Sequence, residues 1–144
     1  MQKSTFLGNF IFWLVMAAIS IAFLAWYNLS GDAPADIAQA TPMLQVGMVV
    51  SAPILLYAIG AIIGLIVVYL KRIHVTNTTK TMCFIPATLV LALFIAAAAP
   101  VLSFGTQDGL AITTVIVVYA ASMAPLMFVM FGALYAVGIA PIKE

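Results

Sequence analysis

The sequence predicts an all-α integral membrane protein: four transmembrane helices in two antiparallel hairpins. Three observations predict it. Of 144 residues, 66% are apolar and 6% charged, against about 45–50% and about 25% in an ordinary soluble domain. The apolar residues gather into four segments, each long enough for the roughly 20 residues that cross about 30 Å of hydrocarbon. The few charges sort by side of a four-span layout. A soluble globule, a disordered tail and a basic nucleic-acid binder are excluded by this balance, which leaves a net charge of only +1. Transmembrane strands would be about ten residues long and alternate in polarity. These segments do not alternate, so helices are the form that satisfies backbone groups in lipid.

The first span is expected over 7–27. Its apolar run follows Lys3 and ends in Trp26 and Tyr27. A cleaved signal peptide has an apolar core of only about 7–15 residues, so this segment reads as a retained span. A polar connector over 28–42 holds Asp32 and Asp36. The second span, 43–70, contains Pro53, and the connector over 71–81 is basic and threonine-rich. The third span covers 82–102, a short turn with Asp108 covers 103–109, and the fourth span, 110–140, contains Pro125. Short connectors make consecutive helices antiparallel neighbours. No polar stretch is long enough to fold alone, so residues 1–144 read as a single transmembrane domain.

Orientation follows from the charges. Lys3, Lys71, Arg72, Lys80 and Lys143 fall on one side, joined by Glu144, and Asp32, Asp36 and Asp108 fall on the other. Basic residues flanking spans stay cytoplasmic, so both termini are predicted inside, in what reads as a bacterial inner membrane. Asp36 and Asp108 precede the second and fourth spans, where a carboxylate caps free amides and complements the helix dipole.

An offset of 72 residues, half the chain, relates several uncommon residues. Ala52-Pro53 with Gly60-Ala61 matches Ala124-Pro125 with Gly132-Ala133, and Asp36 and Lys71 match Asp108 and Lys143. Two readings stand: an internal duplication with halves 1–72 and 73–144, or coincidence among similar membrane helices. A duplication would give parallel repeats about an axis along the membrane normal.

The candidate site residues fall into three groups. Pro53 and Pro125 each remove a backbone donor and free the carbonyl one turn earlier. Ser51 and Ser122 lie close enough to satisfy such groups. The segments read either as broken helices lining a binding path or as tolerated kinks. Gly60 with Gly64, and Gly132 with Ala136, are small-residue steps that let two helix backbones approach. Met123, Met127 and Met130 share one face of a continuous helix. Thioethers can ligate Cu(I), but methionine more commonly fills gaps in apolar packing, and no metal is assigned.

The chemistry expected of several classes is missing. No Asp, Glu, Lys, Arg or His is placed inside a span, whereas proton relays and ion-coupled carriers depend on such groups. A four-helix haem protein needs paired axial ligands, and there is one histidine, His74. Disulfide exchange needs paired cysteines, and Cys83 is single. No cofactor is expected. The leading functional reading is a small polytopic membrane protein that acts by helix packing, as a subunit, assembly factor or immunity-type partner of a larger membrane protein. The alternative is a small homo-oligomeric transporter or channel with a polar path near the prolines of helices 2 and 4. An enzyme ranks last, because no acid, base or nucleophile set converges.

Overall fold

The computed structural model describes residues 1–29, 42–104 and 112–143. Asp32, Asp36, Asp108 and Glu144, and with them the capping role expected of Asp36 and Asp108, lie outside the described residues. The described chain is all-helical: α1 Lys3–Leu29, α2 Pro42–Leu70, α3 Asn77–Phe104, α4 Ile112–Met123 and α5 Pro125–Gly138. Among the described residues three helices are long and apolar enough to cross a membrane, and α4 with α5 forms a bent pair that adds a fourth if counted as one span. The chain therefore has integral-membrane character.

The outer long helices, α1 and α3, each turn a narrow strip inward and a broad apolar surface outward. In α1 the buried strip is Trp13, Ala17 and Ser20, a spacing of four and three residues that stays on one helical face. Leu7, Ile11, Leu14, Val15 and Ile19 are exposed, which suits a helix that meets lipid rather than water. The central helix is α2. It packs against α1, α3 and α5 and buries Tyr57, Ala58, Ala61 and Leu65 completely. From α3 the core receives Ala87, Phe94 and Ala97.

The two proline segments take different forms. Pro53 sits inside an unbroken α2, so the second helix is not broken there. The fourth span is not one helix over 110–140: it divides at Ala124 (φ −143°, ψ 62°), and the two pieces meet at 101°. Both prolines follow an alanine, so local sequence does not separate them. Packing does. Pro53 is fully buried in the most enclosed helix. Before Pro125, Val117 is the one fully buried side chain described in α4. With little to hold Ala124 helical, the disfavour that proline places on its predecessor prevails. The break also corrects the methionine expectation: Met123 ends α4 while Met127 and Met130 lie on α5, so the three do not share one helix face.

At the opposite end the chain is closed tightly. After α2, Ile73 N–H donates to the Val68 carbonyl (3.1 Å) and Arg72 N–H to the Tyr69 carbonyl (3.3 Å). This is the paired closure of a Schellman end, which puts its penultimate residue in the left-handed region; here Arg72 takes that place, at φ 47°. The third helix starts at Asn77, earlier than hydropathy alone places the span. Thr76 Oγ1 accepts from the Thr79 amide (3.3 Å), the bond expected of a helix N-cap. Val75 then bridges to the C-terminal segment: its amide donates to the Pro141 carbonyl (3.0 Å), and its carbonyl accepts from Lys143 (2.9 Å). Met1 packs against the cluster of Val68, Val75 and Ala140. The start of α1, the 71–76 connector and the C-terminal residues thus share one end of the bundle.

Candidate functional site

The most developed interior arrangement is an aromatic and small-residue packing interface centred on α2. Its polar atoms face inward from three helices. Asn9 of α1 donates through its side-chain nitrogen to the Thr5 carbonyl (2.9 Å). Its oxygen remains free to accept from the Tyr135 hydroxyl of α5 (2.6 Å). The Tyr57 hydroxyl of α2 donates to the Ala87 carbonyl of α3 (3.2 Å). Two phenols that would be costly in hydrocarbon are therefore spent on tying helices together.

The rings interlock around these bonds. Trp13 lies 5.1 Å from Tyr57 and 5.5 Å from Tyr135, centroid to centroid, the latter edge-on at 78°. Tyr57 meets Phe94 edge-on at 6.1 Å, and Phe94 meets Phe128 at 5.5 Å. These separations lie in the range where aromatic pairs gain beyond simple burial. The chain of rings runs α1–α2–α3–α5 through the core. Mid-span Trp13 packs within the bundle rather than toward lipid, with only 3% of its surface exposed. Its indole nitrogen makes no well-formed hydrogen bond but lies close enough to Tyr135 to interact with its hydroxyl.

Beside the rings, α2 and α5 run parallel with their backbones in contact. A Cβ on Gly60 would strike the Val129 backbone, and one on Gly132 would strike the Tyr57 carbonyl and come within 2.7 Å of the Ala61 nitrogen. A Cβ on Gly64 would stand 2.7 Å from that of Ala136. No side chain fits at these places. The structure thus brings Gly60, Gly64, Gly132 and Ala136 together along one seam. The seam also exchanges residues 72 apart. Gly60 meets Val129 while Gly132 meets Tyr57, and Gly64 meets Ala136, its own counterpart at that offset.

The remaining candidates are dispersed. Ser51 is buried, and its hydroxyl has no hydrogen-bond partner among the described residues. Ser122 donates to the Val118 carbonyl (2.9 Å), not to the Ala121 carbonyl that Pro125 frees. Pro53 is fully buried, whereas Pro125 is exposed. Met123 and Met130 are exposed by about two-thirds, and no group of three His, Cys, Asp or Glu able to hold a metal occurs among the described residues. Cys83 is half-buried. Sequence reasoning did not anticipate Asn9 as the partner of Tyr135. A polar residue two turns into an otherwise apolar helix was its only signal.

No protein-family model, curated protein or solved structure matches this chain.

Proposed function

We propose that this small, all-helical membrane protein acts by helix packing, as a subunit, assembly factor or immunity-type partner of a larger membrane protein. One observation carries the reading. The described interior is spent on holding helices together: Tyr57 and Tyr135 bond across helices, and Ser20 and Ser51 are its only buried polar residues. An apolar surface remains on every helix to offer to another protein. The halves 1–72 and 73–144 are read as parallel repeats, supported by the reciprocal contacts along the α2–α5 seam. Both termini are placed in the cytoplasm of a bacterial cell, supported by the basic residues around the shared end of the bundle.

The test is purification in mild detergent after expression from the native locus. Stoichiometric copurification of a larger membrane protein is expected. Absence of any such partner, together with solute flux through liposomes holding this chain alone, would replace the reading with a homo-oligomeric transporter or channel. That second reading draws on one observation, the buried Ser51 hydroxyl two residues before Pro53, which has no hydrogen-bond partner among the described residues.

A further inference from the structure

The elbow between α4 and α5 interrupts the helical hydrogen bonding among the described residues. Pro125 has no N–H, so the Ala121 carbonyl one turn earlier has no amide to accept from. The Met127 amide, which a continuous helix would aim at Met123, donates instead to Ala124 (3.1 Å). Residues 122–127 are all exposed. One turn back, Tyr119 is 63% exposed. Unlike Tyr57 and Tyr135, its hydroxyl has no hydrogen bond among the described residues.

Depth makes these groups costly. The 14 residues of α5 rise about 21 Å at 1.5 Å each, short of the roughly 30 Å hydrocarbon core. The elbow therefore lies inside the apolar layer, toward the end away from the C-terminus. Lipid tails offer it no hydrogen bonds, and non-helical backbone at such depth persists only against protein or a water-lined cavity.

We propose that the elbow is covered by the same face of a second copy of this chain, about a two-fold axis along the membrane normal. The second copy's Tyr119 hydroxyl donates its single proton to one of the carbonyls freed at Ala121 and Met123, and the first copy returns the same bond. The face carries its own complement: a surplus donor and surplus acceptors within one turn, as an isologous contact requires. No described residue of α4 or α5 is charged, so identical faces do not repel. Exposed Val115, Ile116, Met123 and Leu126 supply apolar area around the polar pair. The proposal is independent of the larger-partner reading and is decided separately.

The experiment places a photoreactive benzophenone side chain at Ser122 of the full-length protein in native membranes. Controls carry it at Ile11 on α1 and Leu89 on α3, both exposed. The expected result is a covalent homodimer at least tenfold more abundant from position 122 than from either control, with the cross-linked peptide mapping to 115–127 of the second copy. In the same background Tyr119→Phe is expected to lower the yield severalfold without moving the unfolding midpoint of the monomer in SDS. The proposal is overturned by adducts at 122 that are mainly to lipid or to another protein. Yields equal to the controls overturn it as well, as does indifference to Tyr119→Phe.

Discussion

Arg72 holds a backbone conformation that favours glycine, at φ 47°, and it does so to let α2 close on the Val68 and Tyr69 carbonyls. A residue with a Cβ pays roughly 1–2 kcal/mol for this region. Arg72→Gly is expected to stabilise the folded protein by about 0.5–1 kcal/mol, seen as a higher SDS-unfolding midpoint. An unchanged or lower midpoint would mean that the arginine side chain itself contributes to that end of the bundle. The Tyr135–Asn9 bond works in the other direction. Polar bonds between membrane helices average about 0.6 kcal/mol and reach about 1.7. At 2.6 Å this one belongs toward the upper end. Tyr135→Phe leaves the ring against Trp13 and removes only the hydroxyl, so a loss of about 1–1.5 kcal/mol is expected in the same titration. No loss would show that ring packing alone holds α5 to α1.

Among the helices, glycine substitutions separate propensity from packing. Nothing lies within 4 Å of a Cβ on Gly8, so Gly8→Ala is expected to be neutral or to stabilise α1 by up to about 1 kcal/mol. The same change at Gly132 drives a Cβ into the backbone of α2, which cannot yield as a side chain would. Gly132→Ala is expected to cost about 1–3 kcal/mol, and Gly60→Ala a similar amount, because each glycine presses on the other helix in the same way. Widely unequal losses at positions 60 and 132 would count against the repeat. Much of this was legible in the sequence: small residues four apart within an apolar run announce close approach, and hydropathy places the long helices. What could not be read was the difference between two identical Ala-Pro steps. Nothing local distinguishes them, and the outcome rests on how many neighbours hold the preceding turn. The pairing of Tyr135 with Asn9, 126 residues away, was equally hidden, since it depends on the rotation of two helices about their axes. The start of α3 was visible in the Thr76 cap, a signal that hydropathy passes over.

For the molecule as a whole, the shared end of the bundle makes a topological prediction. The Val75 bonds to Pro141 and Lys143 hold the middle connector and the C-terminus at one end of the bundle, next to Met1. A reporter fused after residue 144 and a cysteine probe at Thr78 are expected to read the same compartment, the cytoplasm. Opposite readings would show that this end does not close in the membrane. The α2–α5 seam has a consequence in time. Gly60 and Gly132 on its two sides lie 72 residues apart in the chain, and translation proceeds at about 5–20 residues per second. For several seconds of synthesis the smooth face of α2 waits in the membrane without its partner. Anything that shelters or occupies that face during the delay governs how much newly made protein reaches the finished bundle.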